Sequence, residues 1–194
     1  MKGGGSVTKR FTTALLFVVF SCACVWADSE LISAQTKVWL DQDYQNDNGL
    51  SVARDNTQIR AEVEYTNGTG SSTTVADIEW ITQRELGSGA TDIFDLAGGV
   101  SDPFGNALTF ARVKSLHIRN LSTSESLTIG NATAPVSFLS PATATYALER
   151  GAFVVWESPY AGFTVTAGTG DLLKITNSSG ASTTYNIRVV GSSQ

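Results

Sequence analysis

From Asp92 to Gly191 the chain is a succession of short β-rich runs, each ended by Gly, Pro, Asn or Ser. Short runs of β-branched and aromatic residues between turn-forming residues are typical of an all-β sandwich. The clearest runs are LTFARVKSLHIRNLS, SLTIG, VSFLS, FVVWE, FTVTA, DLLKITN and TTYNIRVVG. The sequence therefore predicts an all-β fold, an antiparallel β-sandwich of jelly-roll-like organisation, as a single compact domain after an N-terminal signal peptide.

Residues 1–27 have the features of a signal peptide. Two basic residues precede the apolar run ALLFVVFSCACVWA, and Val25 and Ala27 stand at the −3 and −1 positions of a cleavage site before Asp28. The apolar run is shorter than the roughly 20 residues that cross a bilayer as a helix. We expect an exported protein, located in the periplasm, at the cell surface or outside the cell. Cleavage, lipidation at Cys22 and retention of the segment are alternatives.

Cleavage after Ala27 predicts a mature chain that is acidic and has no cysteine. Both cysteines, Cys22 and Cys24, lie in the predicted signal peptide, and residues 28–194 contain 10 basic and 18 acidic residues. Disulfides and thiol chemistry are therefore not expected in the mature chain. Because nucleic acids bind clusters of Lys and Arg, we predict no nucleic-acid partner. We also predict no membrane span in the mature chain.

The pattern along the chain predicts three regions. Residues 1–27 form the signal peptide, residues 28–57 form an N-terminal extension with one short strand or helix, and residues 58–194 form the β-sandwich domain. The extension includes the polar, turn-forming segment DQDYQNDNG, and the segment TNGTGSSTT at residues 66–74 predicts a flexible loop. Between them, strict alternation of apolar and charged residues over 58–65 predicts a half-buried strand.

No pattern in the chain indicates catalysis, a cofactor or a metal site. His117 is the only histidine. It alternates with Leu116 and Ile118 along a predicted strand, so its side chain is predicted to lie on the solvated face. The acidic cluster at residues 41–48 lacks the glycine and the glutamate that an EF-hand loop requires at fixed positions, so we interpret it as a turn. The glycine-rich segments lack the Lys-Ser/Thr of a phosphate loop. We predict a protein that is not an enzyme and that has no cofactor.

Four aromatic residues are the best candidates for a binding surface: Trp39, Trp80, Trp156 and Tyr160. Large aromatic side chains supply core packing, but when exposed they also supply ligand stacking and protein interfaces. The apolar run around Trp156 does not show which face of the strand is buried. Core packing, a carbohydrate platform and an oligomer interface are therefore all open for these residues.

The last hundred residues resemble a family of small β-sandwich proteins encoded by tailed phages and prophages. The resemblance covers about residues 92–191 and depends on the turns and strands at residues 95–99, 104–106, 110–114, 127–130, 167–174 and 185–191. It implies a virion structural component or a tail or fibre accessory, with no catalytic residues. Two features depart from the family: the predicted export signal, since phage particles assemble in the cytoplasm, and Arg150 in place of the first glycine of a Gly-Gly pair.

These observations favour a non-enzymatic, secreted structural or assembly protein with a phage virion-like β-sandwich. We expect protein partners or self-assembly, and a virion location if the gene belongs to a phage. The alternative is an exported carbohydrate-binding module that uses Trp and Tyr stacking.

Overall fold

The structure is a computed structural model that describes residue 31, residues 33–47 and residues 52–194. The predicted signal peptide lies outside the described residues. The chain divides into two compact units. Among the described residues, the first is Gln35–Glu64, and the second is Tyr65–Gln194 together with the short segment before Gln35.

The first unit is a β-ribbon made of most of two long neighbouring strands, β1 (Ser33–Asp47) and β2 (Val52–Asn67); residues 33–34 and 65–67 at their ends belong to the second unit. Where the sequence predicts one short strand or helix before residue 58, the structure has a 15-residue strand and the start of a second. Of the segment DQDYQNDNG interpreted as a polar turn, residues 41–47 belong to β1 and residues 48–49 lie outside the described residues. Pairing with β2 explains this difference, because strand formation depends more on neighbouring strands than on intrinsic preference.

The second unit contains the remaining strands and one 3-10 helix, Ser137–Leu139. Its strands are β3 (Val75–Ala76), β4 (Ile78–Leu86), β5 (Thr91–Asp95), β6 (Ala97–Ser101), β7 (Ala107–Thr109), β8 (Arg112–Asn120), β9 (Leu127–Gly130), β10 (Thr145–Leu148), β11 (Phe153–Glu157), β12 (Phe163–Thr164), β13 (Leu172–Thr176) and β14 (Thr183–Ser192).

Eight of these strands form two antiparallel sheets with jelly-roll connectivity, and the two-residue strand β12 adds to one of them by pairing with β8. One sheet has the order β11-β8-β14-β4 and the other has the order β10-β9-β13-β5. When these eight strands are numbered one to eight along the chain, the order is 6-3-8-1 in the first sheet and 5-4-7-2 in the second. This is the double Greek key of a jelly roll. The prediction of an all-β, jelly-roll-like sandwich is therefore confirmed. We call the two sheets the β8 sheet and the β9 sheet after their central strands.

The core lies between the two sheets and follows the alternation of apolar residues in the strands. In the β8 sheet, Leu116 and Ile118 lie directly opposite Val189 and Ile187 of the neighbouring β14, and Tyr185 lies on the same face of β14. The β9 sheet contributes Leu127, Ile129, Leu173 and Ile175. All nine side chains are buried. The four prolines, at 103, 135, 141 and 159, lie between strands as the sequence predicts.

Two buried asparagines close the turns that follow β8 and β13. Asn120 donates to the carbonyls of Glu125, Leu148 and Glu149, and its Oδ1 accepts from Ser122 N and from Thr183 Oγ1. Asn177 similarly donates to three carbonyls, those of Leu86, Gly87 and Ala181. Because buried polar groups require partners, these amides fix the ends of the sandwich.

Candidate interaction site

The structure separates the four aromatic residues that the sequence singles out. Trp80 lies on the edge strand β4 and is buried in the core, where its ring meets Phe94 edge-on at 4.8 Å between centroids. Trp156 lies on β11, the opposite edge of the same sheet. Tyr160 is exposed in the turn after β11. The side chain of Trp39 lies outside the described residues. Trp80 is therefore a core residue, whereas Trp156 and Tyr160 lie at one edge of the sandwich.

Trp156 belongs to a cluster of four aromatic rings between β10 and β11, the edge strands of the two sheets. The Phe138 ring lies 5.3 Å from the Trp156 ring and 4.7 Å from the Phe163 ring. The Tyr146 ring meets Trp156 nearly edge-on, at 5.7 Å and 75°. This edge-to-face geometry is the one that aromatic pairs prefer. We call Tyr146, Trp156, Phe138 and Phe163 the aromatic cluster.

The two sides of the sandwich differ in how completely their aromatic rings are covered. On the β4/β5 side, Trp80 and Phe94 are 7% and 8% exposed, so that this side of the core is closed. On the β10/β11 side, Tyr146 is 44% exposed and Trp156 is half-buried. Sealing the core accounts for the first pair. It does not account for the exposed ring surface on the second side, which leaves that surface open to a ligand or a partner.

Large apolar side chains are also exposed on the edge strands. Phe153 on β11 is 40% exposed, and Ile81 on β4 is 55% exposed. Each of these strands has one neighbour in the β8 sheet among the described residues, β8 for β11 and β14 for β4. Edge strands with exposed apolar side chains are sites at which further strands or proteins add to a sheet.

The outer face of the β8 sheet, which faces away from the core, has a buried polar network. The Tyr65 hydroxyl donates to a Glu157 carboxylate oxygen, and the second oxygen of Glu157 accepts from Ser115 Oγ at 2.8 Å. Arg188 forms an ion pair with Glu79 on the neighbouring strand. Burial and the hydrogen bond to Glu157 raise the pKa of Tyr65 far above its usual range. Tyr65 therefore remains protonated and anchors the start of the second unit to the sheet.

His117 lies at the centre of this face and not on a solvated surface. It pairs with Val155 on one side and with Arg188 on the other. Burial, together with the charges of Arg188 and Arg119, lowers the pKa of His117 to about 4. The imidazole is therefore neutral near pH 7. The prediction of a solvated position is wrong because the centre of this outer face is covered, as the partly buried His117 and the buried Ser115 and Arg188 show, whereas its edges are exposed.

Lys114 is a buried cation with no carboxylate partner in the described ion pairs. Its ammonium donates to the carbonyls of Thr73, Pro159 and Tyr160, which satisfies its three N–H groups. Burial is the main cause that lowers its pKa. The residue ties two loops to β8. One of them is the 66–74 segment predicted to be flexible, which is thus anchored at Thr73.

Sequence reasoning missed three members of the aromatic cluster, namely Tyr146, Phe138 and Phe163. Tyr146 lies two residues before the buried Leu148 on the same strand, so its parity places it on the inner face of the sheet. That signal is present in the sequence. The exposure of the Tyr146 ring cannot be read from the sequence, because it depends on β10 being an edge strand.

The described His, Cys, Asp and Glu residues include no group of three or more positioned to hold a metal ion. The one helix among the described residues has three residues, and no helix there could cross a membrane. The fold defines the class of protein as an eight-stranded jelly roll, an architecture found in viral capsid proteins, lectins and cupins. Comparison of the sequence with models of known families and with curated proteins finds no match.

Proposed function

We propose that this chain is an exported, non-enzymatic structural protein that acts by assembling with copies of itself or with protein partners. The observation that carries the proposal is the exposed aromatic and apolar surface at the β10/β11 edge. Protein interfaces are enriched in Tyr, Trp and Phe, and a few large aromatic anchors supply most of their binding energy. Tyr146, Phe153 and Tyr160 are exposed at this edge, beside the half-buried Trp156.

Two further observations support an assembly role. The jelly roll is a recurrent fold of capsid shells, although a fold alone does not determine function. The resemblance of residues 92–191 to phage β-sandwich proteins points in the same direction. The predicted export signal favours assembly at the cell surface or outside the cell, and a phage-encoded gene would make the chain a virion component.

Carbohydrate binding is the second candidate, and the geometry of Tyr146 favours it. The ring is 44% exposed and carries a hydroxyl group, beside the half-buried indole of Trp156. A partly apolar surface with a few polar groups is the usual composition of a small-ligand site. The same aromatic cluster would then stack on a sugar ring.

Solution mass and glycan binding, measured on the same variants, separate the two candidates. We expect the purified protein to gain mass with concentration in light scattering. Because Phe153 is an exposed edge aromatic, Phe153→Ala should weaken this association by about tenfold or more. Phe104→Ala is the matched control, since Phe104 is exposed at the tip of a turn outside both sheets.

The outcomes are distinct. A monomer at every concentration that binds no protein partner would contradict the assembly proposal. Glycan-array binding by the wild type that is lost in Tyr146→Ala and Trp156→Ala, without self-association, would establish the carbohydrate-binding alternative.

A further inference from the structure

The β8 sheet ends in two edge strands whose directions are compatible with each other. Each neighbouring pair, β11 with β8, β8 with β14 and β14 with β4, is antiparallel. Strands β11 and β4 therefore run in opposite directions at the two ends of the sheet. If a second copy continues the sheet without being turned over, its β4 lies antiparallel to β11 of the first copy. The outer faces of the two sheets then stay on the same side.

Neither edge strand contains proline, lysine or a bulge, three of the features that prevent sheets from joining. Natural edge strands are blocked by proline, by lysine or by a bulge, or they are kept very short. The β4 strand has nine residues, contains neither Pro nor Lys, and pairs with β14 from Ile78 to Leu86 without a register shift. The β11 strand also lacks Pro and Lys and pairs regularly with β8 over its five residues.

The two edges differ in charge. Residues 77–95, which contain β4 and β5, have one basic residue, Arg84. The acidic residues in that stretch are Asp77, Glu79, Glu85, Asp92 and Asp95. At the other edge, the exposed Arg119 lies beside Phe153 and the exposed Arg150 lies in the turn before β11, and these two cations are accompanied by Glu149 and Glu157. Glu85 is likewise exposed, on the same face of β4 as Ile81.

From these observations we propose that copies of this chain join head to tail through the β8 sheet, with β11 of one copy pairing with β4 of the next. This inference rests on the proposed assembly function and specifies its interface. In the register that sets Val155 opposite Ile81, Phe153 lies opposite Gln83 and Gly151 lies opposite Glu85. Glu157 then lies opposite Glu79, and each of these carboxylates already has partners within its own copy, Tyr65 and Ser115 for Glu157 and Arg188 for Glu79. Glu85 of one copy then lies near Arg150 of the other and faces Arg119 across β11, and both exposed apolar side chains, Ile81 and Phe153, are covered.

This contact uses two different surfaces of each copy. Such a heterologous interface leaves one free edge at each end, so that further copies add until a ring closes or a filament forms. A symmetric contact of β4 with β4, or of β11 with β11, would instead stop at a dimer, and the β4 contact would bring two acidic edges together.

Charge reversal followed by mixing tests the pairing directly. We expect Glu85→Arg alone, and Arg119→Glu with Arg150→Glu alone, each to weaken self-association by about tenfold or more at low salt, because like charges then face each other. Mixing the two variants should restore association, since each variant supplies the edge that complements the other. Lys174→Glu is the control, because Lys174 lies on the outer face of the β9 sheet, and its association should be unchanged.

Thermal unfolding of each variant at a concentration where it is monomeric verifies that the fold is intact. If the wild type assembles while both edge variants associate as it does, the head-to-tail interface is wrong and the proposed function stands. Failure of the mixture to restore association, with both variants folded, also overturns the interface. If the wild type neither self-associates nor binds a protein partner, the proposed function itself fails.

Discussion

Replacing Ile118 or Ile187 by alanine is expected to lower the free energy of unfolding by about 2 to 5 kcal/mol. The two side chains lie directly opposite each other on the central strands β8 and β14, and both are almost fully buried. Removing three carbons at such a position loses their transfer free energy and leaves a cavity that the neighbouring strands fill only in part. Denaturant unfolding of each variant measures the loss.

Ile93→Ala is the matched control for this pair. Ile93 lies on the edge strand β5 and is 58% exposed, so its truncation should change the free energy of unfolding by no more than about 0.5 kcal/mol. Equal midpoints for Ile118→Ala and the wild type would show that the pairing of β8 with β14 does not form the centre of the core.

The second large effect is a loss of stability as the pH falls from about 6.5 to about 4. The pKa of His117 is about 4 in the folded protein, whereas an unfolded histidine titrates near 6.5. Between these values the unfolded chain binds a proton that the folded chain does not, so acidification favours unfolding. At 1.36 kcal/mol per pKa unit, this histidine alone accounts for about 3 kcal/mol, lost progressively and complete below pH 4.

Comparison with His117→Gln separates this contribution from that of the carboxylates, which titrate in the lower part of the same range. Above pH 7 the difference in stability between the two proteins is constant. From pH 6.5 down to 4 it should shift in favour of the variant. Parallel profiles throughout that range would show that His117 titrates normally and that the outer face of the β8 sheet is open to solvent.

Much of the sandwich is readable from the sequence because local and long-range preferences agree in it. The runs that become β8, β13 and β14 are apolar with alternating burial, and turn-forming residues separate them. Asn120 ends its strand as a turn residue should, although its five hydrogen bonds could not be anticipated. A fold is predictable from sequence where local strand and turn preferences agree with the packing of the core.

The errors arise where tertiary contacts override local pattern. Residues 41–47 are polar enough to predict a turn, yet strand pairing extends β1 through them. Trp80 and Trp156 have similar sequence surroundings, but one is enclosed by Phe94 and the other lies in the partly exposed aromatic cluster. The anchoring of a loop by Lys114 depends on residues distant in sequence. Which strands form the edges follows from topology, and alternation along one strand does not reveal it.

The most direct test of assembly through the edges of the β8 sheet is the hydrogen exchange of backbone amides, measured at several protein concentrations. Amides of β4 and β11 should exchange more slowly at high protein concentration, because pairing between copies occupies N–H groups that have no strand partner among the described residues of one copy. Amides of β5, an edge strand of the other sheet, should exchange at the same rate at every concentration. Exchange in β4 and β11 that does not change with concentration would contradict the account.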